Sequence, residues 1–198
     1  MRYSVRWVVL LALGTCVACA SIGSKFDFEN RTKLALGRTT EAQAIELLGE
    51  PRKTASLSNQ DGNFEHFQYL YSYGDLGGAA ARVLFLEFKA GVLNAYSYAS
   101  GFKEDSTEFD YDASAKVTAG KSKKQEVLKL LGEPTGKARC PSYQGDYVGK
   151  FKGATEIWLW AHTSKSKGLD KKSIKSMNVF VSFDVRGVVR DVSRSKDE

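Results

Sequence analysis

The chain states one pattern twice. Phe26-Asp27-Phe28-Glu29 returns as Phe109-Asp110-Tyr111-Asp112. Lys33, Gly37, Leu47, Leu48, Gly49, Glu50 and Pro51 return as Lys116, Gly120, Leu130, Leu131, Gly132, Glu133 and Pro134, always 83 residues later (134 − 51 = 83). A fixed offset that preserves glycine and proline, the residues with the strictest backbone demands, means one structural unit duplicated and fused. Any fold for this chain must therefore be built from two similar halves.

The first residues stand outside that pattern. Arg2 and Arg6 precede the apolar run Trp7–Leu13, which is too short to span a bilayer, and small residues with cysteines follow from Gly14 to Ala20. Residues 1–18 read as an export signal and are excluded from the fold. Cys19, behind Val17-Ala18, has the setting of a lipidated first mature residue; Cys16 competes less well behind Thr15. The alternative is ordinary cleavage after Ala18-Cys19-Ala20, which gives a soluble periplasmic or secreted protein. With Cys19 acylated, the chain is held by its lipid at the outer membrane, facing the periplasm, and residues 19–25 act as a tether.

About 180 residues remain (198 − 18), enough for a sizeable core in one or two domains. The formal charge of +6 loses Arg2 and Arg6 with the signal, and the dispersed excess of about +4 does not suit nucleic acid. Cys140 is then the one thiol left beyond Cys19, so no disulfide framework forms within the chain.

Each repeat reads as α+β. After a short lead-in, Gly37 breaks the chain, Thr40 and Gln43 form a capping box, and Ala44, Ile45 and Leu48 give a short apolar helix face before Gly49 and Pro51. The second copy offers Ser122 and Gln125 as the box, Val127, Leu128 and Leu131 as the face, and Gly132 and Pro134 as the stop. Helices this short need a packing partner. A three-stranded meander supplies it: residues 67–73, 83–88 and 92–98 in repeat 1, and 157–161, 179–183 and 188–192 in repeat 2, with Gly91 and Gly187 in the hairpin turns. The division is repeat 1 over 26–98, a polar linker over 99–108, repeat 2 over 109–193 and a charged tail over 194–198. The two meanders can join as one continuous curved sheet.

The run from Gly37 to Pro51, then Tyr69-Leu70-Tyr71, then Phe88 to Leu93, resembles the SmpA/OmlA (BamE-like) lipoprotein domain. It recurs from Gly120 to Pro134, at Trp158-Leu159-Trp160, and from Phe183 to Val189. The resemblance implies a non-catalytic accessory lipoprotein that binds another envelope protein, in outer-membrane protein assembly or envelope integrity. The duplication departs from single-unit members. A tandem pair of such units also resembles the β-lactamase inhibitory protein, which implies the other reading: an inhibitor-type protein docking a concave sheet onto a periplasmic or secreted enzyme. Fold analogy alone transfers neither function.

Two surfaces are candidates for binding. Tyr69, Tyr71, Trp158 and Trp160 share a strand face opposite Leu70 and Leu159. Either they form an exposed binding face or they are the core face itself. Lys165, Lys167, Lys171, Lys172 and Lys175 form a basic hairpin that is either a weak contact for anionic envelope polymers or a solvated loop. No catalytic motif emerges. His66 and His162 fall at unrelated places, Ala119-Gly120-Lys121-Ser122 lacks the leading glycine of a phosphate loop, and no cofactor or metal is expected.

Overall fold

Both helix stops and the first helix start hold at the atomic level. In the computed structural model, which describes residues 20–23, 25–75, 78–105, 107–142, 151, 153–165 and 174–197, α1 spans Glu41–Leu48 and α2 spans Lys124–Leu131. The Thr40 hydroxyl accepts from the Gln43 N–H (3.3 Å), and the Gln43 side chain accepts from the Thr40 N–H (3.0 Å). In repeat 2 the helix starts one residue later than expected, and only half of the box survives. Lys123 holds the cap position and its N–H donates to Glu126 (2.9 Å), but lysine has no side-chain acceptor to return the bond. Ser122 instead closes the preceding turn by accepting from the Thr118 N–H (3.1 Å), as Thr39 does from Ala35 (2.9 Å).

The sheet is one continuous antiparallel layer. Among the described residues it has nine strands: β1 (Ala20–Gly23), β2 (Lys53–Asn59), β3 (Gly62–Asp75), β4 (Gly78–Lys89), β5 (Val92–Ser100), β6 (Gly136–Arg139), β7 (Glu156–Lys165), β8 (Ile174–Phe183) and β9 (Val189–Lys196). Their order is β1-β3-β4-β5-β6-β7-β8-β9, with β2 also on the outer edge of β3. The expected meanders are β3-β4-β5 and β7-β8-β9. Three strands were not expected: β1, β2 and β6. Ala20–Gly23, read as tether, pairs with Tyr71–Gly74, and β9 runs to Lys196, into the expected tail. The third addition, β6, makes the sheet continuous, because it pairs with β5 of repeat 1 on one side and β7 on the other.

That seam is narrow. A Cβ placed on Gly136 would sit 3.0 Å from the Tyr96 carbonyl oxygen and 3.1 Å from Ser97 Cβ. The 83-residue offset identifies β6 as the copy of β2, with Gly136 in the place of Lys53 (136 − 53 = 83).

Both helices and the short 3₁₀ segments Phe28–Lys33 and Asp112–Lys116 cover the same face of the sheet. Phe26, Phe28, Ala44 and Leu48 pack on Phe67, Tyr69, Leu84, Leu86, Phe88 and Leu93 in repeat 1. Ala113, Val117, Val127 and Leu131 pack on Trp158, Trp160, Val179, Val181, Phe183 and Val189 in repeat 2. The expected linker is fixed as well. Arg82 of β4 binds the buried Asp105 (2.5 Å) and Glu104 (2.9 Å), Ser100 donates to Asp105, and the guanidinium lies 4.4 Å from the Phe102 ring centre. Removing one partner from such a buried pair leaves a charge stranded.

Gly136→Val should destabilise the protein by about 1–3 kcal/mol, because the obstacle is backbone that cannot swing away. A lowered denaturant midpoint is the expected reading. An unchanged midpoint would show that β5 and β6 separate without cost.

Candidate functional site

The register settles which aromatic positions correspond and where they point. Leu86 of β4 faces Phe67, and its counterpart Val181 of β8 faces Trp158. Likewise Leu84 faces Tyr69 and Val179 faces Trp160. The true copies are therefore Phe67/Trp158 and Tyr69/Trp160, two residues away from the expected match of Tyr69 and Tyr71 with the two tryptophans. All four true copies are buried beneath the helices, Trp160 and Tyr69 to 1% exposure. Tyr71 is half-buried and stacks on Phe102 with ring centres 5.9 Å apart.

The expectation of an exposed Tyr/Trp face is thus corrected: these rings are core. The indole N–H of Trp160 donates to the Gly132 carbonyl (3.1 Å), at the helix stop. The indole N–H of Trp158 donates to Glu156, which also binds Lys124 (2.5 Å), while Lys124 and Lys137 sit 5.5 and 4.9 Å from its ring centre. A tryptophan whose polar edge and ring face are both satisfied belongs inside.

Among the described residues the other sheet face carries no helix. By alternation it presents Gln68, Leu70, Val83, Phe85, Ser97, Gly136, Leu159 and Phe180. Cross-strand pairing lines up Gln68, Phe85, Ser97, Gly136, Leu159 and Phe180 in one row through both repeats. Beside the row, Glu87 is fully buried. It accepts from Asn94 (2.8 Å) and lies 3.3 Å from His66 Nε2. The Asn94 amide also donates to the carbonyls of Arg139 (3.2 Å) and Pro141 (3.0 Å), tying the start of the β6–β7 connection to this face.

Phe85 and Phe180 occupy equivalent positions, facing Ser97 and Ser193 respectively. Their environments differ. In repeat 2 Phe151 and Ala154 of the β6–β7 connection pack on Ile157, with Cys140 and Phe180 against them. The Phe151 and Phe180 ring centres are 6.4 Å apart. Repeat 1 joins β2 to β3 by a two-residue turn at Gln60-Asp61, and Phe85 is left 43% exposed in the middle of the sheet. Sequence reasoning missed Phe85 because Val83-Leu84-Phe85-Leu86 is apolar on both faces and alternation gives no contrast.

The remaining candidates do not assemble. His66 and His162 lie in different repeats; His162 Nδ1 is 3.0 Å from the Thr107 hydroxyl. Among the described residues no group of three or more His, Cys, Asp or Glu could hold a metal ion, and no helix is long and apolar enough to cross a membrane. Burial, then Glu156, push the Cys140 thiol up to about 11, so it is an inert thiol at neutral pH. Residues 1–18, Cys16, Cys19, Lys167, Lys171 and Lys172 lie outside the described residues; Lys165 and Lys175 end β7 and flank the start of β8.

No protein-family model matches the chain, and no curated protein matches it in sequence. Among solved structures, a Streptococcus mutans protein provisionally designated a β-lactamase inhibitor protein has a similar fold, with a TM-score of 0.50. The identity is 12%, over 86% of this chain and 98% of that one. At that identity the likeness establishes the fold. The expected likeness to a tandem inhibitor-type architecture therefore stands as a likeness of fold, and no family membership follows for the SmpA/OmlA domain.

Trp158→Ala and Trp160→Ala should each lower stability by about 3–5 kcal/mol, as buried aromatic truncations do, whereas Phe85→Ser should cost less than about 1 kcal/mol. Chemical denaturation of the three variants separates core from surface.

Burial, and then the negative charge of Glu50, push the Tyr69 phenol up to about 12. Tyr96 is likewise raised by burial. These groups stay neutral in the fold while their unfolded counterparts ionise near 10, so their stabilisation is complete below pH 10 and drains away towards pH 12. The Tyr69 hydroxyl has no hydrogen-bond partner among the described residues. Tyr69→Phe should therefore cost little at pH 7 and flatten the fall in midpoint between pH 9.5 and 11.5. An equal fall in both proteins would contradict this origin.

Proposed function

We propose that the protein is a non-catalytic binding protein that docks the helix-free face of its sheet, centred on Phe85, onto another protein. One observation carries the reading. The same phenylalanine position is partly buried in repeat 2, where Phe151 packs against Phe180, and is 43% exposed in repeat 1. The cover in repeat 2 models what a partner supplies in repeat 1: a loop with an apolar or aromatic side chain laid across β4. Anchors of this kind, ringed by small and polar neighbours such as Gln68 and Ser97, carry much of the energy of protein interfaces. The fold it shares with a provisionally designated inhibitor protein supports an inhibitor-type role, with a β-lactamase or another exported enzyme as the class of partner to assay first.

The envelope reading adds an address. Val17-Ala18-Cys19 suits acylation at Cys19, and Ala20 already enters β1, so an anchor there would leave the sheet edge without a long leash. In that setting the partner is another envelope protein, including the outer-membrane assembly machinery that the repeat motif brings to mind. Mass spectrometry of the mature N-terminus decides between acylated Cys19 and a free Ser21. The basic residues Lys165, Lys167, Lys171 and Lys172 would add a weak contact with anionic envelope polymers.

The docking face is tested by crosslinking pull-down from envelope and from culture supernatant, followed by affinity measurement on the recovered partner. Phe85→Asp should weaken binding by about 2–4 kcal/mol. Val185→Asp, a change at an exposed hairpin tip, should leave it unchanged. Equal binding by all three proteins would exclude this face.

A further inference from the structure

The two outer edges of the sheet are the two halves of the junction the chain makes inside itself. At that junction Ala95, Tyr96 and Ser97 of β5 face Ala138, Lys137 and Gly136 of β6. The copy of β6 is β2, and the copies of Gly136, Lys137 and Ala138 are Lys53, Thr54 and Ala55. The copy of β5 is β9: Tyr96 faces Leu86 as Val192 faces Val181, and Ser97 faces Phe85 as Ser193 faces Phe180. The offset there is 96 (193 − 97 = 96). In the described sheet β2 lies at one edge and β9 at the other. A second copy could therefore extend the sheet, its β9 meeting β2 as β5 meets β6, with Ser193 opposite Lys53. Such a head-to-tail contact does not close on itself and would propagate.

Two residues differ from the internal junction in a way that opposes this. The seam crowds any side chain at Gly136, since a Cβ would lie 3.0 Å from the Tyr96 carbonyl oxygen and 3.1 Å from Ser97 Cβ. At the outer edge that place is taken by the exposed Lys53. Next to it, the internal junction adds a bond from the Tyr98 N–H to the Thr135 carbonyl (2.9 Å). The copies of these residues are Arg194 and Arg52, two cations. We propose that Lys53 and Arg52 are the stop that keeps a second copy of this chain from joining its β9 to β2, and that the two edges are otherwise complementary. Lysine on an edge strand is a general defence against such pairing; here the matching glycine within the same chain shows what it defends against.

The test installs the internal junction's own residues at the outer edge. Light scattering and sedimentation are followed over a hundredfold range of concentration for the purified protein, Lys53→Gly, and Lys53→Gly with Arg52→Thr. The parent should stay monomeric. The double variant should form concentration-dependent species that grow past dimer, with the single variant between them. Adding Ser193→Arg on the opposite edge should return the double variant to monomer. The proposal is overturned if the double variant keeps its fold and stays monomeric. It is equally overturned if the parent already assembles, or if assembly persists with Ser193→Arg, since the contact then lies elsewhere. Circular dichroism checks that each variant keeps its fold, and a one-to-one mixture isolates the contact: the parent, with β9 free, and Lys53→Gly with Arg52→Thr and Ser193→Arg, with β2 alone open, should form a dimer and nothing larger, and its absence counts against the proposal.

Discussion

The close approach of β5 to β6 at Gly136 is what the rest of the structure depends on. Each repeat alone is a small meander with one short helix and one 3₁₀ segment, too little to bury a robust core. Backbone pairing at the seam merges the two meanders into one sheet, so that the helix-covered cores stand side by side under a common layer. The same seam makes the opposite face continuous from Gln68 to Phe180. The Arg82–Asp105 pair then holds the connection between repeats against β4. A partner would thus meet a single face of fixed shape, with less ordering cost than two loosely strung domains would impose.

Much of the fold was legible because duplication exposes its own rules. Glycine and proline at a constant offset gave the helix stops, Thr40 with Gln43 gave one helix start, and the hairpin glycines gave the meander turns. The strands β2 and β6 were not legible. Lys53-Thr-Ala-Ser-Leu-Ser-Asn59 is mostly polar because it is an outer edge, and β6 is four residues long with its glycine chosen for closeness, not for strand propensity. The aromatic match slipped by two residues because the β6–β7 connection in repeat 2 is longer than the β2–β3 turn, so the 83-residue offset ends at β6. The site was hidden for a related reason. A strand apolar on both faces, such as Val83–Leu86, cannot say from sequence which side is covered.

The copies have diverged where their positions in the array demand it, and these differences carry the functional argument. Shared positions such as Tyr69/Trp160, Leu84/Val179 and Phe88/Phe183 lie under helices in both repeats and are governed by packing. The contrasting positions are more exposed in one copy than in the other. Lys53 at the outer edge answers to Gly136 at the seam. Phe85 on the open face answers to Phe180 beneath Phe151. The first contrast has an evident reason in solubility, since an edge strand must avoid pairing with strangers. The second has the opposite sign: solubility would favour covering or replacing Phe85, as repeat 2 covers its copy.

That opposition bears on what the open face is for. A half-exposed phenylalanine in the centre of a sheet forgoes about half of the stabilisation that full burial would bring, roughly 1 kcal/mol. The chain places Phe151 against the equivalent Phe180 in its own second half, yet joins β2 to β3 in repeat 1 by a tight turn. Covering the face in both repeats would block the row from Gln68 to Phe180 along its whole length. Covering it in one leaves a floor in repeat 1 beside a wall in repeat 2, with the buried Glu87–Asn94 pair anchoring the wall's base through the Arg139 and Pro141 carbonyls. A single apolar ring set among Gln68 and Ser97, beside the packed residues Phe151 and Ala154, suits a protruding side chain of a folded partner better than it suits a flat apolar surface, because one anchor can be buried on Phe85 while its polar neighbours pair around it.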